Sequence, residues 1–442
     1  MHRLALELAL LKQRVPDGFT NFHLNIPAAL ILQALAETGT ASVRHRRLPA
    51  EQVVWLIIGM ALMRDLTIVQ VVDRLELALP GKKPVAASTV MEARARLGKA
   101  PLEWLFVTTA DAWAHRSARD HAWRGLGIYG VDGSSLRVAD SDENRRYFGG
   151  TNGHRGESGY PLVRLVTLMA LRSHLLAAVQ FGPYETHENH YATELWPSVP
   201  PESLVIVDKG FFGANILVPL VAHGRHFLIR AKSNTRWRTV EKLGRHDAIV
   251  EMEVSHHART RLDATLPRTW RARAIRYQRK GFRPSVLLTS LLDPVEYPAA
   301  EIAALYHERW ELELGFDEIK TEMLEARESI RSKSPERVEQ ELLGLLLAYN
   351  LVRLEMERIA DLADVLPTRI SFVATMEVFA TEWFWFATMA AGAIPKRIYT
   401  IEQKLIRLLL PERRSKRSYP RKVKLKMSNY DLKRPSPTRN DR

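Results

Sequence analysis

Residues 305–324 read LYHERWELELGFDEIKTEML, and this stretch decides the fold. Tyr306, Arg309, Glu313 and Lys320 follow one another at steps of three, four and seven. At 3.6 residues per turn these steps gather the four side chains within roughly 60° on one helical stripe. Leu305, Leu312, Phe316, Ile319 and Met323 form an apolar stripe beside it, and Glu308, Glu311, Glu318 and Glu322 fall on the opposite face, where the pattern predicts solvent. The predicted helix therefore carries a buried seam, a wet back, and an edge mixing a carboxylate with an arginine, a lysine and a phenol. A carboxylate can hold a divalent metal. Arginine and lysine can hold phosphate. The mixture suits phosphodiester chemistry; its simpler reading is a local Arg309–Glu313 ion pair at i,i+4, which needs neither the tyrosine nor the lysine.

Two further carboxylates stand upstream. Asp132 lies in GIYGVDGSSLRV, a β-rich run broken after the acid, and Asp208 ends the apolar, strand-length run SLVIVD. The order Asp, Asp, Glu, with two acids at strand ends and the Glu on a late helix, resembles the DDE transposases. The Tyr-x2-Arg-x3-Glu-x6-Lys spacing resembles the insertion-sequence-four family in particular. VDGSSLRV, VIVDKGFFG and the downstream IRSKSPERVEQELLGLLLAYNLVR, in this order, strengthen the likeness, which covers about residues 20 to 355.

Bulk properties are compatible with that family. The chain has 442 residues, enough for several domains. Its 64 basic and 50 acidic residues leave a net charge of +14, which favours a polyanionic partner. With no cysteine, disulfides, thiolate metal sites and Cys nucleophiles are excluded. The opening MHRLALELALLKQRV carries Glu7 and Lys12 and does not read as a signal peptide. No uncharged apolar run reaches membrane-spanning length, and WFWFATMAAGAI from Trp383 reads as a buried helix. A cytoplasmic, nucleoid-associated bacterial protein without membrane contact is expected.

Along the chain, residues 1–118 read as helical. LPAEQVVWLIIGMALMRDLTIVQVVDRLELALPG shows helical period up to Pro80-Gly81. Ser88 is the expected N-cap of TVMEARARLG, a short basic helix bearing Arg94 and Arg96 and suited to reading DNA in a helix-turn-helix. Within a domain read at 119–335, residues from about 125 to 232 alternate strand-like and helix-like runs: three strands, a helix, a strand, a helix and a strand. That order is expected of an RNase H-like α/β core. A β-rich insertion is read at about 233–288, and Pro298 opens the Glu313 helix. Residues 336–410 read as helical, and 411–442 as a basic, disordered tail held near DNA by charge.

The resemblance implies the chemistry. It makes Asp132, Asp208 and Glu313 the catalytic metal ligands and places the first two on neighbouring strands. The cofactor it implies is Mg²⁺, as two ions for which Mn²⁺ can substitute. Tyr306, Arg309 and Lys320 are implied to hold phosphates and the cut end of the element, with Lys209 as a further DNA contact. Trp270, with Trp237 second, is the candidate for stacking a base flipped out near the cut. The implied function is cut-and-paste transposition: binding of terminal inverted repeats, metal-dependent cleavage and strand transfer into double-stranded DNA by a homodimer. Two alternatives stay open: a catalytically silent DNA-binding derivative, and an RNase H-like nuclease. Weaker polar clusters are read structurally: ETHENH from Glu185 as a helix start, Asp140, Asp142 and Glu143 as a solvated turn, and NRRYFGGTNGHRGESGYP, with Arg145, Arg146 and Arg155, as a Gly-rich loop.

Overall fold

The computed structural model describes residues 25–41, 47–78, 84–153, 156–157, 159–278, 283–325, 329–378 and 393–411. The run from Trp383, Arg155 and the tail beyond residue 411 lie outside them. Among the described residues one ten-stranded sheet organises the molecule. Strands β1 (Gly127–Val138), β2 (Leu162–Ala170) and β3 (Leu176–Pro183) form an antiparallel meander. Helix then alternates with strand through β4 (Ser203–Val207) and β5 (His226–Arg230), both parallel to β1. The order β3-β2-β1-β4-β5 is that of an RNase H-like core. All five residues of β4, SLVIV, are buried, as an apolar run must be when helices cover both faces of a parallel strand.

The insertion does not form a separate layer. Its strands β6 (Arg238–Gly244), β7 (Asp247–Glu253), β8 (Thr269–Tyr277) and β9 (Ser285–Thr289) continue the same sheet, because β9 pairs antiparallel with β5. Arg273 of β8 is fully buried. It donates to Asp247 at 2.8 Å and to the carbonyls of Tyr297 and Asp293 at 2.6 and 3.1 Å. It thereby ties the insertion to the segment that leads into the Glu313 helix. A two-residue β10 (Ser329–Ile330) lies parallel to the end of β1.

Before the sheet come α1 (Ala28–Glu37), α2 (Ala50–Leu62), α3 (Ile68–Arg74), α4 (Ala87–Leu97) and α5 (Ala100–Ala110). The long helical period read across residues 48–81 is broken at Met63–Thr67, where Thr67 and Gln70 form a reciprocal capping box that starts α3 afresh. Helix α4 begins at Ala87 with Ala86 as N-cap, so Ser88 sits in the first turn instead. Within the core lie α6 (Asp142–Phe148), α7 (Glu188–Leu195) and α8 (Ala214–Ala222). The start of the expected Gly-rich loop, bearing Arg145 and Arg146, is thus helix α6, capped by Ser141. His187 caps α7, as the helix-start reading of ETHENH requires.

The Glu313 segment follows as α9 (Ala299–Leu305), a 3₁₀ turn (Tyr306–Arg309), α10 (Trp310–Asp317) and a π-turn (Glu318–Met323). Helix α11 (Pro335–Leu362) is the central post against which α2 and α5 pack, and α12 (Ile394–Ile406) leans on it. The first and last helical regions therefore share one bundle. At their crossing, a methyl group on Gly344 would stand 3.0 Å from the carbonyl oxygen of Ile57. That oxygen is backbone and cannot swing aside. Gly344→Ala gains about 1 kcal/mol of helix propensity, but overpacking of this kind costs roughly 1–3 kcal/mol or more. Because the clash is with backbone, the cost falls in the upper part of that range, and a net loss of about 1–2 kcal/mol is expected in urea unfolding; unchanged or increased stability would show that α2 and α11 separate freely.

Candidate active site

Sheet register positions the two aspartates. Val131 of β1 pairs with Val207 of β4, and Val207 pairs with Ile229 of β5. Asp132, Asp208 and Arg230 are the next residues along these three adjacent parallel strands, Asp208 just past the end of its own, and residues one step beyond an in-register row leave on the same side. Chain separation is thus removed by two crossovers. Asp208 leaves its strand and caps the short turn Lys209–Phe211, accepting the Gly210 N–H at 3.3 Å. Asp132 accepts the Gly133 N–H at 2.8 Å. Burial pushes its carboxyl up to about 6; Gly133 and Arg309 pull against that shift, while the like charges of Asp208 and Glu188 add to it. Glu188 packs over Gly133 and is held by Arg164 at 2.5 Å.

The Glu313 helix lies on this same side. Gly130 shares a strand face with Asp132, and a side chain there would meet Leu312 at 2.8 Å. The missing Cβ lets α10 approach β1 closely two residues before the acid. Arg309 donates to Glu313 at 2.8 Å. Tyr306 is buried, and burial pushes its phenol up to about 12 against the pull of Arg309 and Arg230. Lys320 is half-buried within the π-turn. The four residues therefore lie on a helix tightened before Glu313 and widened after it, and not on one regular α-helical stripe.

The opposite face of this helix is not wet. Glu308 is forked by Arg172 at 2.8 and 3.0 Å. Glu311 is buried and bonded to His174 Nε2 at 2.9 Å. Glu318 is gripped by Arg353 and accepts the Tyr349 hydroxyl at 2.8 Å. The apolar stripe Leu305, Leu312, Phe316, Ile319 and Met323 is buried as its spacing predicts. The amphipathic reading assumed one sheltered side, but the helix is covered by the sheet and also by α11.

Other candidates separate from this centre. Arg94 is only 3% exposed and spends its guanidinium on Gln340 at 2.9 Å, Ser332 at 3.2 Å and the Arg337 carbonyl at 3.4 Å. It locks α4 to α11, so its guanidinium is spent inside the protein and not on the exposed face expected for a basic reading helix. Arg96, on the same helix, reaches the surface beside Glu92 at 3.9 Å. Lys209 is exposed next to Asp208. Trp270 is buried against Phe212 and Phe227, with ring centroids at 6.3 and 5.7 Å. It lines a cavity of about 730 Å³ in the insertion, where Trp237 and Arg236 form part of the wall. Trp237 is half-buried and so more open than Trp270.

Residues 123–351 match the family model described as the transposase DDE domain, and residues 16–107 match the insertion element 4 transposase N-terminal model. The transposase InsG for insertion sequence element IS4 of Escherichia coli (strain K12) is 36% identical over 430 residues, 96% of each chain. This chain belongs to the insertion-sequence-four family of DDE transposases. It is thus a DNA transposase by family, with an RNase H-like catalytic core. The putative transposase InsZ of the same organism is 35% identical over 51% of this chain and 76% of its own. A cryo-EM structure of the piggyBac transposase synaptic complex with hairpin DNA aligns with 91% of this chain and 87% of its own, at 11% identity and a TM-score of 0.42.

A DDE domain uses divalent metal. The donors present fit a hard cation in kind: Asp132 and Asp208 offer carboxylate oxygens from adjacent strands. Among the described residues no three His, Asp or Glu side chains are already gathered as a cage. Glu313 is instead turned to Arg309. Among the described residues, too, no helix is long and apolar enough to cross a membrane.

Proposed function

We propose that this transposase binds the terminal inverted repeats of its element, cuts there, and joins the freed 3′-hydroxyls to target DNA, with Asp132, Asp208 and Glu313 as its catalytic acids. The observation that carries this reading is the register that sets Asp132 beside Asp208 under the helix bearing Glu313. Two Mg²⁺ ions, replaceable by Mn²⁺, would be held by these carboxylates and would supply an activated nucleophile and charge relief on the leaving oxygen. Arg309 is the residue that changes partner: a DNA phosphate drawing its guanidinium away leaves Glu313 free to turn toward the aspartates. Tyr306 and Lys320 hold the backbone beside it, and Lys209 and Arg96 add contacts at the surface. The cavity between Trp237 and Trp270 accepts an extruded base, whose unstacking cost of a few kcal/mol aromatic contact partly offsets.

The domain assignment that goes with this reading keeps residues 1–118 and 336–410 as helical regions around a catalytic domain at 119–335, with the insertion at 233–288 and a basic tail from 411. Two ends must be held together, so the working form is a homodimer on DNA, in contact with the nucleoid. The test is direct. Purified protein, duplex carrying the element ends, a target plasmid and Mg²⁺ or Mn²⁺ should give strand breaks at the repeat termini and then joined products. Binding without breaks would favour a silent DNA-binding derivative, and breaks that never yield joined products would favour a nuclease.

A further inference from the structure

The arginines around this centre are mostly occupied. Arg309 holds Glu313, Arg172 holds Glu308 and Arg164 holds Glu188. Arg230 differs. It ends β5 one step past the Val207–Ile229 pair, so it stands next to Asp208 in the same row as Asp132. It is half-buried between β4 and β9, opposite Leu287. Among the described residues no carboxylate is within ion-pairing distance of it and its side chain makes no hydrogen bond. A half-buried guanidinium forgoes part of its hydration, and only an anion with in-plane acceptors replaces its five donors well. At the mouth of a site that handles phosphodiesters, that anion is phosphate.

We propose that Arg230 is a phosphate-binding residue of the reaction centre, taking the non-bridging oxygens of the phosphodiester at the cut. The proposal rests on the function proposed above. It assigns two arginines different tasks: Arg309 exchanges between Glu313 and DNA, whereas Arg230 has no internal partner to give up before it takes the phosphate. Donors aimed at developing charge are among the largest contributors to rate.

The test uses full-length protein and two end duplexes, one native and one with an uncharged methylphosphonate at the cut. Binding is measured with Ca²⁺ and cutting of the native duplex with Mg²⁺. Wild type should bind the neutral duplex about tenfold more weakly than the native one, whereas Arg230→Gln should lose severalfold less on neutralisation, the remainder coming from Arg309, Tyr306 and Lys320. Arg230→Gln should cut about 10²-fold more slowly, with Arg230→Lys between the two because it keeps charge without the fork. Equal losses on neutralisation in wild type and Arg230→Gln, or wild-type cutting by Arg230→Gln, overturn the proposal. Thermal melts of both variants guard against misfolding; should Arg230→Gln melt early, the same comparison is read from Arg230→Lys. Wild type that fails to bind or cut the ends overturns the proposed function itself and Arg230's role with it. Cutting that Asp132→Asn abolishes but Arg230→Gln leaves intact overturns only the role of Arg230.

Discussion

Asp132→Asn should lose end cutting on the order of 10³-fold or more while binding inverted-repeat DNA within a few-fold of wild type. The amide keeps the shape and the acceptor for the Gly133 N–H but removes the charge a cation needs. The same substitution should stabilise the metal-free protein. Burial raises the Asp132 carboxyl to about 6, so the folded state holds that proton more tightly than the unfolded chain does. Ionisation therefore costs stability: nothing below about pH 4, progressively more between pH 4 and 6, and the full amount above pH 6. A shift of this size corresponds to about 1–3 kcal/mol. In EDTA, Asp132→Asn should melt above wild type at pH 7.5 and with it at pH 4. Added Mg²⁺ should raise the wild-type melt and leave the variant where it was. A variant that still cuts, or that melts below wild type at pH 7.5, would remove Asp132 from the centre of the reaction.

Asp208 illustrates what could be read without coordinates. A short apolar run that stops on an acid is a buried parallel strand reaching the sheet's carboxyl end, and its five residues are indeed buried. The spacing of Tyr306, Arg309, Glu313 and Lys320 marked one helical segment, but not the 3₁₀ turn before Glu313 or the π-turn after it, which packing against the sheet and α11 sets. Arg230 was not legible. HFLIRAK announces a strand, but only the β4–β5 register shows that its arginine shares a row with two acids 22 and 98 residues away. Arg94 misled for the opposite reason. A basic residue on a short helix reads as surface until a second helix, α11, supplies acceptors for it. Helix α2 hid its environment too, since all thirteen of its residues are buried and no stripe marks which side meets α11.

Arg353→Met is the second change expected to act strongly, and it acts away from any DNA. Arg353 is 1% exposed on α11 and grips Glu318, the first residue of the π-turn that follows Glu313. The same guanidinium donates to His174 Nδ1 at 2.5 Å, and the His174 Nε2–H is directed at Glu311 at 2.9 Å. Two carboxylates on the back of the catalytic helix thus depend on one buried cation. Burial alone would push Glu318 up, yet Arg353 and then His174 hold it down to about 2. Removing the arginine leaves a buried carboxylate without its partner, a loss of about 3–5 kcal/mol. The sign with pH follows from a depressed acid: the stabilisation is complete above about pH 4.5 and fades as pH falls toward 2. Wild type and Arg353→Met should differ most in urea unfolding at neutral pH and converge in acid. Glu318→Gln in the same chain should recover part of the loss, because the orphaned charge goes with it. The partly restored double variant should still cut poorly, since the tie from α11 to the turn after Glu313 is gone and only Arg172–Glu308, His174–Glu311 and the apolar seam then hold the helix. Full cutting by a folded double variant would mean that the seam beneath the helix, Leu312 over Gly130, is enough to aim the carboxylate.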